Sequence, residues 1–415
     1  MRSLGLVFSA FLLFAACAKD PDYGTGAAGN SGGPAGGSGA GGSGPGGSGG
    51  SAGTGSGGSG LTGYVPPALT ITHPNPIVSR GAQVFAMPDN GTASIVDGKY
   101  HAGGWIAGKP TDAAPAWVAI KLAPGPTRVL VSWDDTGTYD YKTPTTKSVY
   151  GQPAAYSIQV SADSTNGADG AWITAVPSVT NAVRTRGHAI DFTGKSWIKM
   201  IVTATPVNAA GNVIIAEIDV HDISATGTAL PDDTWFFMGD SITAFAYDRR
   251  VANQPSFADQ LHTAAPAYMP AMINGGIGSE LTGDGLARLD EMLALNPDYR
   301  FFAITYGTND SWGNKTDTTS YRRNLQMMID KLKAAGREPV LSHIPYSNDN
   351  NHDTLAVFNT VVDELTQQNG LQIGPDLTTW FMGHTDQLTD KVHPNTEGCK
   401  AMNTQWADAM RRLYP

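Results

Sequence analysis

The sequence lacks several features that would point to particular classes of protein. It has only two cysteines in 415 residues, Cys17 and Cys399, which excludes a disulfide-rich framework. Charged residues make up only 15% of the chain, the net charge is -10, and no block of lysine or arginine occurs. This composition excludes nucleic acid, and an anionic lipid surface bound by charge, as expected partners.

Metal-binding patterns are absent as well. The nine histidines show none of the paired spacings that are typical of metal ligands. We therefore predict no metal and no cofactor. Cys399, the thiol that remains if the N-terminal cysteine is modified, is interpreted as a small, partly buried apolar side chain.

The N-terminus carries an apolar run that is too short to span a bilayer. Arg2 is followed by an apolar core over residues 4–14 and then by Ala15-Ala16-Cys17. The length is typical of a signal peptide. Small residues directly before a cysteine resemble a bacterial lipoprotein signal, which implies removal of residues 1–16 and lipidation of Cys17. The expectation is an exported, membrane-anchored lipoprotein, facing the periplasm or on the cell surface; ordinary secretion with cleavage near Ala16 is the alternative.

Residues 17–63 form the next segment, and most of it consists of Gly, Ser, Ala, Pro and Thr. Such a segment cannot bury enough apolar area to offset the entropy of ordering, so it is predicted to be a flexible tether. The length of the remaining chain predicts two domains.

Residues 64–226 show short strand signals separated by Gly, Pro, Asn and Asp. The clearest are residues 117–122, 128–133, 155–160 and 197–202. No helical period intervenes, which favours an antiparallel β-sandwich of jelly-roll type. Residues 96–98, 115–122 and 217–222 resemble segments of discoidin-like (F5/8 type C, galactose-binding-like) domains, many of which bind carbohydrate. Four aromatic residues are candidates for stacking on sugar rings, although aromatic side chains of a sandwich more often lie in its core: Trp105, Trp133, Tyr139 and Tyr141.

Residues 232–415 change to alternating strands and helices. Apolar residues recur at helical spacing in three stretches, and Gly336 and Gly370 stand where helix C-caps are expected. This pattern predicts a three-layer α/β domain with a parallel sheet of about five strands, covered on both faces by helices.

Gly239-Asp240-Ser241 follows an apolar run of strand length. Ser241 is therefore expected at the carboxyl end of a strand, where open α/β sheets place their chemistry. A serine hydroxyl needs a base and a group that orients the base before it becomes a good nucleophile. Asp390 and His393 stand in an i, i+3 relation, so a turn there would let the carboxylate orient the imidazole. Ser241 could also be a helix N-cap, and His393 a surface histidine.

Two further loops can supply hydrogen-bond donors to an oxyanion. One is the glycine-rich turn at 274–279, and the other is Tyr306-Gly307-Thr308-Asn309-Asp310, which follows another strand-like run. Gly-Asp-Ser, the glycine turn, Gly-x-Asn-Asp and a late Asp-x-x-His occur in the order that resembles the SGNH (GDSL-type) hydrolases, over about residues 232 to 415.

This resemblance implies a fold and a set of roles. Ser241 would be the nucleophile, His393 the base and Asp390 its partner. The backbone N–H of Ser241, a backbone N–H in the glycine turn and the side-chain amide of Asn309 would form the oxyanion hole. In the glycine turn the matching position is Ser279 instead of glycine, so both Gly278 and Ser279 remain candidates.

The expected function is that of an exported serine esterase, most plausibly one that removes O-acetyl groups from a polysaccharide. Two alternatives stay open. One is a lipase or short-chain aryl esterase for which the β-sandwich is only a scaffold. The other is a carbohydrate-binding surface protein without catalytic activity.

Overall fold

The computed structural model describes residues 59–98, 104–135, 151–206, 212–247, 254–312, 315–349 and 354–415. The predicted signal peptide, the lipidation site Cys17 and nearly all of the predicted tether lie outside these residues. Tyr139 and Tyr141 lie outside them too. None of the helices in the described ranges is long and apolar enough to cross a membrane.

The N-terminal half of the described chain is built from antiparallel strands. They are β1 (Gln83–Met87), β2 (Trp105–Gly108), β3 (Ala116–Lys121), β4 (Arg128–Asp135), β5 (Ala155–Ser161), β6 (Trp172–Thr180), β7 (Thr185–Asp191), β8 (Trp197–Ala204) and β9 (Val213–Asp222). A five-stranded sheet has the order β1-β3-β8-β5-β6, and a four-stranded sheet has the order β2-β9-β4-β7. The four clearest strand signals in the sequence correspond to β3, β4, β5 and β8.

The two sheets pack face to face because alternate residues of their strands are apolar. Val118 and Ile120 of β3 share one buried cluster with Val129 and Val131 of β4. The region is thus a two-sheet β structure, whereas the jelly-roll topology stays a prediction.

The C-terminal half contains a parallel sheet with the strand order β11-β10-β12-β13-β14. Its strands are β10 (Thr234–Gly239), β11 (Ala271–Gly276), β12 (Phe301–Thr305), β13 (Glu338–Leu341) and β14 (Gln372–Ile373). Its helices are α1 (Ser241–Tyr247), α2 (Phe257–Ala264), α3 (Thr282–Leu295), α4 (Thr308–Ser311), α5 (Thr318–Ala334), α6 (Leu355–Gln368), α7 (Leu377–Gly383) and α8 (Thr396–Met410). The prediction of an α/β domain with five parallel strands is confirmed.

Strand β10 shows why this sheet is covered on both faces. Its residues alternate between two apolar cores: Trp235 and Phe237 pack with α1, α2 and α8, while Phe236 and Met238 pack with α3, α5 and α6. A strand with four successive large apolar residues is stable only when it is buried on both sides, so β10 becomes a central strand of the parallel sheet.

The segment before the sandwich belongs to the α/β core, which differs from the predicted boundary at residue 64. We call residues 64–76 the strap. Its Tyr64 hydroxyl donates to the carbonyl of Leu371 at 2.7 Å, and the backbone N–H of Ile71 donates to the carbonyl of Leu413 at 2.7 Å. Ile71 is fully buried in the core under α8. The chain joins the β domain at the end of the strap, where the carbonyl of Pro76 accepts from the N–H of Asp222 and Ile77 pairs with His221 of β9.

The β domain also packs directly on the α/β domain through β7. The backbone N–H of Gly187 donates to Asn296 Oδ1 at 3.3 Å, and that of Ala189 donates to Asp298 Oδ2 at 3.0 Å. A Cβ on Gly187 would lie only 2.5 Å from the hydroxyl of the buried Tyr299. Glycine therefore permits the close approach of the two domains here.

Candidate active site

Ser241 is the first residue of α1 and follows β10 after one residue. Asp240 caps the helix: its Oδ1 accepts from the N–H of Ile242 at 2.9 Å and its carbonyl from the N–H of Ala244 at 3.0 Å. Ser241 is thus not the cap. Its own N–H makes no hydrogen bond within the described chain and points from the positive end of the helix, where it can receive an anionic oxygen.

Ser241, His393 and Asp390 form a continuous hydrogen-bonded chain. The Oγ of Ser241 lies 2.9 Å from Nε2 of His393, and Nδ1 of His393 lies 2.7 Å from Oδ2 of Asp390. The carboxylate can only accept, so it fixes the proton on Nδ1 and leaves the lone pair of Nε2 facing the serine hydroxyl. This tautomer is the one that a general base requires.

A tight turn brings Asp390 and His393 together. Asp390 Oδ1 accepts from the backbone N–H groups of Val392 at 3.1 Å and His393 at 2.7 Å, while Lys391 between them has a positive φ of 72°. Partial burial would by itself raise the pKa of Asp390, but the hydrogen bonds from the ring and backbone of His393 outweigh it and hold that pKa well below its usual range. Asp390 therefore stays ionised.

The glycine turn lies against the serine loop. The N–H of Ile277 donates to the carbonyl of Gly239 at 3.0 Å, so the chain after β11 runs beside the start of α1. Ser279 has a positive φ of 67°, a conformation that glycine adopts most readily. The N–H groups of Gly278 and Ser279 make no hydrogen bond within the described chain. Both remain free to receive an oxyanion.

Asn309 reaches the same turn from α4. Its Nδ2 donates to the carbonyl of Glu280 at 3.0 Å, next to Ser279 in the chain. An amide nitrogen carries two protons, so one proton fixes the side chain to the turn and the other is available to a ligand. The structure thus joins the loops of Ser241, Ser279 and Asn309 by direct contacts.

A buried polar network beneath these loops was missed in the sequence. The guanidinium of Arg288 in α3 contacts Glu280, Tyr306 and the carbonyl of Gly275, and the hydroxyl of Tyr306 donates to Glu280 Oε2 at 2.5 Å. Burial raises the pKa of Glu280 even though Arg288 and Tyr306 oppose it. One signal was available: Arg288 falls on the face of α3 that carries the buried Gly285, Leu289 and Met292, and an arginine on a buried face needs a partner.

Two more acidic residues lie near the site. Asp310 accepts from the N–H and hydroxyl of Thr282 at the start of α3, the latter at 2.7 Å. Burial raises the pKa of Asp240 to about 7, against the lowering effect of the N–H of Ile242 and of His393. These carboxyls hold the starts of α1 and α3 beside the reacting groups.

His343 lies outside the group formed by Ser241, His393 and Asp390. It follows the end of β13, and its ring bridges two carboxylates, with Nε2 2.8 Å from Asp363 and Nδ1 3.0 Å from Asp376. Burial alone would lower its pKa, yet both aspartates raise it to about 9. His343 is thus part of a buried ionic cluster that joins β13, α6 and α7.

Two of the four sugar-stacking candidates, Trp105 and Trp133, are buried in the β domain. Trp105 is 0% exposed and donates its Nε1–H to the carbonyl of Pro88, and Trp133 is 1% exposed and packs edge-on against Tyr156. Buried rings offer no face to a pyranose, so the stacking prediction fails for these two because both complete the core. No group of three or more metal-ligating side chains occurs in the described ranges.

Comparison with known proteins places the α/β domain in a family. Residues 237–401 match the family described as GDSL-like Lipase/Acylhydrolase, so this part of the chain is a GDSL-like hydrolase domain. None of the curated proteins compared with the sequence matches it.

Several solved structures are each similar to part of the chain. A lipase/acylhydrolase from Enterococcus faecalis shares 23% identity, covering 43% of this chain and 95% of its own, with a TM-score of 0.37. The acetylxylan esterase Axe2 from Geobacillus stearothermophilus shares 19%, covering 44% and 94%, with a TM-score of 0.35. TesA shares 21%, covering 43% and 99%, with a TM-score of 0.38.

Proposed function

We propose that this protein is an exported serine esterase that acts through an acyl-enzyme, with O-acetyl groups of a polysaccharide as its substrate. The observation that carries the proposal is the hydrogen-bonded chain from Ser241 Oγ through His393 to Asp390, with distances of 2.9 and 2.7 Å. This chain lies in a GDSL-like hydrolase domain.

The acylation half of the reaction follows from these contacts. Nε2 of His393 takes the proton of Ser241, and Oγ attacks the ester carbonyl to give a tetrahedral intermediate. The negative oxygen accepts hydrogen bonds from the N–H of Ser241, from Gly278 or Ser279, and from Nδ2 of Asn309. The imidazolium, which the ionised Asp390 stabilises, then protonates the leaving alcohol as the C–O bond breaks.

Deacylation repeats the same steps with water. His393 takes a proton from a water molecule, whose oxygen attacks the acyl carbonyl, and the second intermediate collapses. The proton returns to Ser241 Oγ as the carboxylic acid leaves. No metal or cofactor enters either half.

The test of the esterase proposal uses purified protein and a short-chain ester such as p-nitrophenyl acetate. Ser241→Ala and His393→Ala should each reduce kcat by about 10⁴-fold or more, since both groups act as a unit. His384→Ala is the matched control, because His384 is the preceding histidine in the chain and its ring nitrogen contacts the carbonyl of Trp380 instead of Ser241 or Asp390. Undiminished turnover in Ser241→Ala would remove the proposed mechanism.

The polysaccharide part of the proposal is supported by the β domain that packs on the hydrolase domain. Its resemblance to discoidin-like modules of jelly-roll type suggests a carbohydrate-binding companion to the active site. Acetate release should be assayed over a panel of acetylated polysaccharides, alongside esters of increasing acyl length. Preference for a long acyl chain over acetate would instead favour a lipase.

The membrane-anchored location is proposed from the sequence at Ala15-Ala16-Cys17. Growth of an expressing bacterium with an alkyne-labelled fatty acid should label the full-length protein at Cys17, and Cys17→Ser should lose the label. If the wild-type protein is exported but carries no label, the proposal of a lipid anchor is wrong and ordinary secretion takes its place.

A further inference from the structure

The glycine turn and the Asn309 loop are held by one buried ionic cluster, which we call the brace: Arg288, Glu280 and Tyr306. The side chains of Arg288 and Glu280 are only 9% and 10% exposed, and Tyr306 is buried. Burying an ion pair costs desolvation energy that the pairing often fails to recover, so an apolar cluster of similar volume would often be as stable. A gain in stability is therefore a weak explanation for burying these three polar side chains together.

The contacts of Arg288 span the turn that carries the oxyanion candidates. Its Nη2 lies 2.8 Å from the carbonyl of Gly275, near the start of the turn, and 2.7 Å from Oε2 of Glu280, directly after the turn. Gly278 and Ser279 lie between these two anchored points. A single guanidinium thus contacts both ends of the segment that contains the oxyanion candidates Gly278 and Ser279.

The second oxyanion loop depends on the same residues. The hydroxyl of Tyr306 donates to Glu280 Oε2 at 2.5 Å, and Tyr306 is three residues before Asn309. The amide of Asn309 in turn donates to the backbone carbonyl of Glu280 at 3.0 Å. Glu280 therefore connects to Asn309 from both sides, through its own carbonyl and through Tyr306.

Gly285 supports this interpretation. It lies inside α3, where glycine costs roughly 0.5–1 kcal/mol relative to alanine. A Cβ at this position would lie 2.5 Å from the hydroxyl oxygen of Tyr306 and 2.6 Å from its Cζ. The helix tolerates glycine here because the Tyr306 ring must approach the helix backbone to reach Glu280.

We infer that Arg288, Glu280 and Tyr306 are positioning residues that set the oxyanion donors of the glycine turn and of Asn309 as one unit. The inference rests on the proposed esterase function. None of the three needs to touch the substrate, because they act through the N–H groups of the turn and through the side chain of Asn309. Misplacing such donors by about 1 Å weakens transition-state stabilisation and leaves substrate binding nearly unchanged.

The test uses three variants that disturb the brace in different ways. Glu280→Gln keeps the shape and removes the charge, Tyr306→Phe removes one hydroxyl, and Gly285→Ala pushes the Tyr306 ring. Each should reduce kcat and kcat/KM together by about 10- to 100-fold on a short-chain ester. Gly283→Ala is the matched control: it lies in the same helix, and its Cβ would meet only Asn324 Nδ2 at 3.6 Å, so activity should stay at the wild-type level.

A second measurement separates positioning from a purely structural role. A boronic acid that forms a tetrahedral adduct with Ser241 should lose affinity in proportion to kcat/KM across the variants, because both report transition-state stabilisation. The pH dependence of kcat/KM should keep the wild-type shape, since the pair of His393 and Asp390 is undisturbed. Asn309→Ala provides the benchmark for losing a donor outright, a loss of about 10²- to 10³-fold.

Two results would overturn the inference. The first is wild-type kcat/KM in all three brace variants while Asn309→Ala loses activity. The second is a fall in kcat/KM with unchanged boronic acid affinity. A fluorophosphonate probe checks the underlying function separately: if the wild-type protein neither labels at Ser241 nor turns over any ester, the proposed function fails, and the brace inference fails with it.

Discussion

Asp390 holds His393 with both of its carboxylate oxygens. Oδ2 lies 2.7 Å from Nδ1 of the ring, and Oδ1 lies 2.7 Å from the backbone nitrogen of the same residue. The backbone contact fixes the turn, and the ring contact fixes the tautomer. One carboxylate therefore decides both where the imidazole lies and which of its nitrogens carries the proton.

Asp390→Asn should separate these two roles. The amide oxygen can keep the backbone bonds of Oδ1, but the NH₂ group then faces Nδ1 and forces the proton onto Nε2, which can no longer accept from Ser241. We expect kcat to fall by about 10²- to 10⁴-fold with little change in melting temperature. Asp386→Asn, an exposed acid on the same loop, is the control. Near-normal turnover in Asp390→Asn would show that His393 is oriented by other groups.

The side chain of Ser279 should be dispensable. Its proposed role belongs to the backbone N–H, and its positive φ of 67° suits glycine better than serine. Ser279→Gly should keep kcat within a few-fold and leave stability unchanged or raise it by up to about 1 kcal/mol. Ser279→Val should have a lower kcat and a lower stability, because a β-branched residue is strained at that φ. A large loss of kcat in folded Ser279→Gly would mean that the hydroxyl itself takes part.

The His343 cluster predicts a loss of stability in alkali. The pKa of His343 is raised from 6.5 to about 9, so its contribution is complete below pH 6.5 and disappears as the pH rises through 9. The expected loss is of order 3 kcal/mol between about pH 6 and pH 10. Burial would raise the pKa of Asp376, but the bonds from His343 and Thr379 lower it to about 2, so its contribution is lost only in strong acid.

Denaturant unfolding at several pH values tests this prediction. His343→Gln should be less stable than wild type at neutral pH, because Asp363 and Asp376 lose their shared cation, and its stability should depend less on pH above neutrality. His384→Gln, outside the cluster, should keep the wild-type pH dependence. If the free energy of unfolding depends on pH in the same way for wild type and His343→Gln, the alkaline loss of stability is not due to His343.

Gly187→Ala should weaken the contact between the β domain and the α/β domain. The added methyl group would lie within 3.0 Å of the hydroxyl, Cε2 and Cζ of Tyr299, a fully buried ring with little room to move. Overpacking of this kind costs about 1–3 kcal/mol, which should appear in the midpoint of unfolding. Gly383→Ala, which meets nothing within 4 Å, should stay close to wild type.

The sequence predicted that Ser241, His393 and Asp390 lie together, but it did not predict the residues that support their loops. Ser241, Asp390 and His393 could be found because each lies on a loop with a local pattern: a strand that ends in Gly-Asp-Ser, and an Asp-x-x-His turn before a helix. The Arg288–Glu280 pair joins a helix to a preceding turn, and no local pattern shows which charge an arginine on a buried face will meet. Trp105 and Trp133 were ambiguous because the same aromatic residue serves a core or a ligand face.

The strap was missed for a related reason. Four prolines between residues 66 and 76 make the segment look like a linker, and only two apolar residues, Leu69 and Ile71, show that it is packed. Two apolar residues are too few to show a periodic pattern in the sequence. Their burial is due to contacts with α8 and the C-terminus, which lie more than 300 residues away in the chain.

The strap changes the modular description of this chain. Because the strap packs into the core under α8 before the chain forms the β domain, the β domain is flanked in the chain by two segments that contact the hydrolase core. A fragment cut at residue 232 would leave a hydrophobic slot where Ile71 sits. Excision of residues 77–226, with the strap rejoined to the start of β10, is therefore the sounder route to a minimal hydrolase.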